Sequence, residues 1–109
     1  MRAIQTSDLS SIDNYRPVEL PVPAPGPGEV RIEVAACGVG YVDALVALGR
    51  YQVKPTLPHI PGGEAAGWID AVGEGVDGLA VGTRVLAQVS GGFAQFALAR
   101  AESIRSLPD

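Results

Sequence analysis

The sequence predicts a small, mainly β domain, a barrel or sandwich of short strands with one brief helix. Three observations predict it. Turn-forming residues are dense, 14 glycines and nine prolines in 109 residues, and they follow no fixed period. Between them lie short runs in which apolar and polar residues alternate, as on a half-buried strand. One stretch alone changes to helical spacing. The length suits one domain with a modest core, residues 1–109.

The elements follow in order. RAIQT, residues 2–6, reads as an opening strand. Pro17, Pro21, Pro23, Pro25 and Pro27 hold the next segment extended, at an edge or between elements, because proline fixes φ and has no N–H to donate. PGPGE closes it with a turn signal. In EVRIEVAA, Val30, Ile32 and Val34 point one way and Arg31 and Glu33 the other, a half-buried strand. YVDALVALG, residues 41–49, places Val42, Leu45, Val46 and Gly49 on one helical face, with Gly49 as the stop. KPTLPHIPGG breaks regular structure with three more prolines. EAAGWIDAV, GTRVLAQV and FAQFALA are further strands, the last two joined through SGG by a hairpin-like connection, and a last short strand is expected around Ser103 to Leu107.

Composition excludes several function classes. With 18% charged residues, a net charge of −4 and eight scattered basic residues, there is no basic patch for nucleic acid. The apolar runs are too short to span a membrane, and MRAIQTSDL has no signal-peptide core. A single cysteine makes no internal disulfide and fits a reducing cytoplasm.

GEGVDG, residues 73–78, has the G-x-G-x-x-G spacing of a dinucleotide loop. That loop needs a strand before it and a helix opening within it, whose free N–H groups meet the phosphates. The strand is there. The helix is not, since LAVGTRVLAQV follows with Gly82 and a strand-like run. Residues 79–101 contain no acid for a ribose, and Glu74 and Asp77 would repel pyrophosphate. The segment reads as a connection between strands. Zinc needs three or four Cys, His or carboxylate ligands, and Cys37 and His59 stand alone without CxxC or HxxxH spacing. Cys37 reads as a small buried hydrophobe, and His59 as a surface or hydrogen-bonded loop histidine. No catalytic centre emerges from composition and spacing.

CGVGYVDALVALGRYQVKPTLPHIPGGEAAGWIDAVGEGV, residues 37–76, resembles the N-terminal part of the medium-chain dehydrogenases/reductases. VGTRV, GGFAQFALA and LPD follow in the family's order, so the resemblance covers nearly the whole chain. It implies a GroES-like, partly open β-barrel with one or two short helices, normally followed by a Rossmann domain, which is expected to lie outside these 109 residues. The zinc-dependent members carry C-G-V-C and G-H-E. Here Gly40 and Gly63 stand at the two ligand positions, and Ser90–Gly92 replaces the structural zinc lobe. The resemblance therefore points to the zinc-free branch of NADPH-dependent quinone oxidoreductases and enone reductases, with NADPH bound mainly by the Rossmann domain and no zinc.

By position, the resemblance places Tyr41, Val42 and Asp43 near the nicotinamide, Gly40 and Tyr51 by the substrate, and Glu64 in a structural role at the cleft, pairing with backbone or an arginine. For each, a purely structural reading stands beside the functional one: packing at the helix start for Tyr41 and Val42, capping for Asp43, loop packing for Tyr51. Many quinone reductases have Asn where Gly40 stands. The implied partners are a small quinone or enone and the chain's own Rossmann domain. A homodimer of the full-length protein is compatible with this, and the 109 residues alone are expected to be inactive. A stand-alone binding or assembly module on the same barrel is the alternative.

Overall fold

The computed structural model describes residues 1–52 and 54–108, excepting the side chain of Tyr41. The chain forms β1 (Arg2–Gln5), β2 (Arg16–Glu19), β3 (Glu29–Cys37), α1 (Tyr41–Ala47), β4 (Glu64–Val72), β5 (Arg84–Gln88), β6 (Phe96–Arg100) and β7 (Arg105–Ser106), with 3-10 turns at Ile12–Asn14 and Ala101–Ser103. β1 and β2 pair antiparallel as a separate ribbon. The other five strands form one antiparallel sheet in the order β6-β3-β4-β5-β7. No helix among the described residues is long and apolar enough to cross a membrane.

The alternation read in EVRIEVAA is the alternation of β3 at Val30 to Glu33. Val30 and Ile32 of β3, Ile69 of β4, Val85 and Ala87 of β5, Ala99 of β6 and Ile104 form the core, with Val34, Val76, Leu79 and Val89 packed around them. Glu33, Trp68, Arg84 and Leu86 face outward. On this outer face Arg31 holds the proline-rich segment to the sheet. Its Nε and Nη2 donate to the two Asp70 carboxylate oxygens at 2.8 and 3.1 Å. Its Nη1 donates to the Pro23 carbonyl at 3.0 Å, and the guanidinium lies 5.5 Å from the centre of the Phe96 ring.

The sheet curls, and glycine permits the curl. β3 loses register against β4 at Arg31/Ile32 and again at Val34/Ala36. At the second irregularity a Cβ on Gly67 would stand 2.0 Å from the Glu33 carbonyl oxygen, so no larger residue fits without moving backbone.

Two sequence expectations change. GTRVLAQV and FAQFALA do not form a hairpin: β3 and β4 lie between β5 and β6, and a single bridge, Ser90 to Leu98, links the two regions and draws the sheet toward a barrel that stays open. The strand expected in FAQFALA, β6, also starts later than expected, at Phe96, because residues 93–95 bond to β1. The Ile4 N–H donates to the Phe93 carbonyl at 2.9 Å, and the Gln95 N–H to the Arg2 carbonyl at 3.1 Å. GEGVDG is the connection between β4 and β5, as the sequence predicts. It rests on the turn before β3: the Gly28 N–H donates to the Glu74 carbonyl at 3.0 Å, and a Cβ on Gly73 would meet the Gly26 oxygen at 2.0 Å. No helix opens there.

Candidate functional site

β3 ends at Cys37 and releases the chain into an exposed loop, Gly38–Gly40, that leads into α1. Gly40 is the N-cap. The Asp43 Oδ2 accepts from the Gly40 N–H at 2.8 Å, satisfying one amide that helix geometry leaves free. The first residue of β4 lies opposite, where the Glu64 carbonyl accepts from the Gly38 N–H at 3.2 Å. The Glu64 carboxylate is exposed and makes no ion pair among the described residues; what it contributes near the cleft is backbone pairing.

This crossing brings Gly40 and Gly63 to one carboxylate. A Cβ built on Gly40 lies 3.5 Å from the Asp43 Oδ2, and one built on Gly63 lies 3.4 Å from the Asp43 Oδ1. Both are ordinary contacts, and neither glycine has a positive φ. The backbone would therefore accept side chains at both positions, and the sequence supplies none. No group of three or more His, Cys, Asp or Glu that could hold a metal occurs among the described residues. The donor set at this point is one carboxylate, which does not fit zinc.

Val42 and Asp43 line a depression of about 520 Å³, together with Val46 of α1, Thr56 and His59 of the proline loop, and Ser90. Tyr51 lies half-buried in the bend after the helix, outside this lining. Tyr41 begins α1, and its side chain lies outside the description. A larger depression of about 810 Å³ runs along β6 past Pro21 and Pro23 and meets the first at Ile60 and Ser90. Gly40, Val42, Asp43, Tyr51 and Glu64 do not line it.

His59 differs from its sequence reading. Its backbone bonds Thr6 in both directions, at 2.8 and 3.0 Å, but its Nε2 is buried without a hydrogen-bond partner. Burial pushes the imidazole pKa below its usual 6.5, so the ring is neutral at pH 7. Tyr15 lies behind it. The ring of Tyr15 meets that of His59 edge-on at 6.4 Å, and its hydroxyl donates to the Ala47 carbonyl at 2.6 Å. One side chain thus touches both walls of the depression from the rear. Leu9 packs on the helix stop at Gly49, whose φ is +67. None of these tertiary contacts leaves a local sequence signal. Cys37 is half-buried, and its thiol is pushed up by burial and then by the carboxylates of Asp43 and Glu64, the reverse of what a nucleophilic thiolate needs.

Residues 26–109 match the alcohol dehydrogenase GroES-like domain. The chain belongs to that family. It is 41% identical to a quinone oxidoreductase of Lama guanicoe, an alignment covering 99% of this chain and 34% of that protein. The chain therefore spans about a third of the length of this curated relative. A mycobacterial protein solved in complex with NADPH superposes with a TM-score of 0.93 at 34% identity, over 100% of this chain and 34% of the other. A thermostable alcohol dehydrogenase from Pyrobaculum aerophilum, bound to cobalt and zinc, superposes with a TM-score of 0.91 at 29% identity, over 100% of this chain and 42% of the other. The same barrel thus serves a metal-bound relative and relatives described as quinone oxidoreductases.

Proposed function

We propose that this chain is the substrate-side domain of a zinc-independent, NADPH-dependent quinone oxidoreductase or enone reductase. The observation that carries the proposal is the Gly40–Asp43–Gly63 arrangement. The family's two metal-ligand positions meet at one carboxylate and bear no side chain, in a chain 41% and 39% identical to two relatives described as quinone oxidoreductases. Without a Lewis acid, a simple carbonyl is a poor hydride acceptor, whereas a conjugated quinone or enone is already electron-poor. NADPH, held mainly by a Rossmann domain, supplies the hydride. This chain supplies the wall. Val42 and Asp43 stand toward the nicotinamide, and Tyr41 is the third residue assigned to the cofactor. Gly40, without a side chain, leaves room for a flat ring. The Tyr51 hydroxyl donates to the substrate oxygen as charge gathers there. Glu64 keeps the start of β4 against Gly38. The cytoplasm is the compartment that suits such an enzyme and its lone thiol.

The test uses the protein encoded by the parent transcript. NADPH oxidation by a neutral quinone is expected to survive exhaustive chelation. Loss of activity that returns with added zinc would overturn the zinc-independent reading. A stop codon directly after Asp109 would overturn the enzyme reading in favour of a stand-alone module.

A further inference from the structure

The depression bounded by α1 and the proline loop has an unequal charge inventory. Its lining includes one ionisable acid, Asp43, and no lysine or arginine. The acid is half-buried. One oxygen is used by the Gly40 N–H, and the other accepts no hydrogen bond among the described residues. The remaining polar groups on the walls, Thr56, Ser90 and the His59 imidazole, carry no positive charge to offset it. Lys54, the first residue of the loop, is exposed to water and outside the lining. A charge in a partly enclosed cavity is screened far less than one on an open surface.

We infer that this depression selects neutral carbonyl compounds over anionic ones, and that Asp43 makes the selection. The inference rests on the proposed function: Val42 and Asp43, set toward the nicotinamide there, line this depression, which makes it the place where a substrate carbonyl would meet the hydride, and the inference names the substrate class. An anion entering here meets a carboxylate with no cation beside it. A neutral ketone or quinone meets apolar Val42 and Val46 and pays no such penalty. A ligand bearing a hydroxyl or amide N–H gains an acceptor in the free Asp43 oxygen.

The test compares benzylideneacetone with its para-carboxylated derivative, followed by amide chemical shifts of the isotope-labelled protein encoded by the parent transcript. Asp43→Asn is the informative variant, because its side-chain oxygen can still accept from Gly40 and keep the helix start. In the wild type, the neutral ketone is expected to shift the amides of Val42, Gly63 and Gly91. The carboxylate should bind about tenfold more weakly, the scale of one unscreened like charge at the wall. In Asp43→Asn the two should bind within about twofold of each other, the charge having been removed. Equal binding by the wild type, or selectivity that persists in Asp43→Asn, overturns the role of Asp43 and leaves the site reading standing. A neutral ketone that shifts only residues of the β6 depression, or none, overturns the site reading and the inference with it.

Discussion

The β3–β4–β5 sheet and the segment from Cys37 to Gly63 are neighbours in sequence and opposites in construction. The sheet is held by many equivalent contacts: an antiparallel ladder, a run of buried branched side chains, and a two-toothed Arg31–Asp70 clasp on its back. The cleft segment has a helix of two turns and ten residues rich in proline. It is fixed by individual contacts, among them Asp43 to Gly40, Tyr15 to Ala47, His59 to Thr6, and the backbone bonds of Pro61 and Gly62 to Phe93 and Gly92. The difference teaches where this domain stores stability and where it leaves space for chemistry. Redundant packing tolerates the loss of a methyl group; a wall held by single bonds can be retuned residue by residue.

That comparison can be broken from either side. The largest effect is expected in the sheet. Gly67→Ala forces a Cβ onto the Glu33 carbonyl oxygen, and should cost roughly 3–5 kcal/mol or prevent folding, a severe case of overpacking against backbone. Urea denaturation measures it; a loss within experimental error would mean that the β3 irregularity can relax. A smaller and local effect is expected behind the cleft. Tyr15→Phe keeps the edge contact with His59 and removes the bond to Ala47, for about 1 kcal/mol of the ordinary hydrogen-bond contribution. Amide exchange should accelerate at Leu48, Gly49 and Arg50 and stay unchanged in β3 and β4. A uniform acceleration would show that the two regions are one cooperative unit.

The smallest effect concerns pH. The folded pKa of His59 is depressed, so between that value and about 6.5 the unfolded chain binds more protons than the folded one. Stability from the buried neutral ring is complete above pH 6.5 and falls as pH drops through this window. The urea midpoint should decline on going from pH 7.5 to 5.5, and less so in His59→Gln, while a proton NMR titration places the His59 midpoint below 6.5. A midpoint at or above 6.5 would mean that the buried Nε2 finds a partner in solution.

Much of the sheet was legible because its signal is local. Val30, Ile32 and Val34 alternate with Arg31 and Glu33, and a half-buried strand needs nothing more. The helix from Tyr41 and its stop at Gly49 were legible for the same reason, spacing plus a residue that accepts positive φ. The strand neighbours were not. Short connection length suggested that β5 and β6 pair, but β3 and β4 occupy the space between them, and residues 93–95 are drawn into bonds with β1. Of the candidate site, family resemblance placed Val42 and Asp43, which share the depression, and Tyr51, which stands outside its lining. It passed over Tyr15 and His59, whose partners lie 32 residues away at Ala47 and far upstream at Thr6.

By itself, then, the sequence determined the helix and most of the strands, the side of β3 that faces the core, and the lack of metal-binding side chains at positions 40 and 63, because each of these is a property of residue type at short range. Tertiary structure alone decided that Gly40 and Gly63 converge on Asp43, that GEGVDG leans on the turn before β3, and that Tyr15 reaches both walls of the cleft. Those facts depend on how the curled sheet brings distant segments together. Chain curvature accumulates from irregularities such as the one at Gly67, and no window of sequence contains both ends of it.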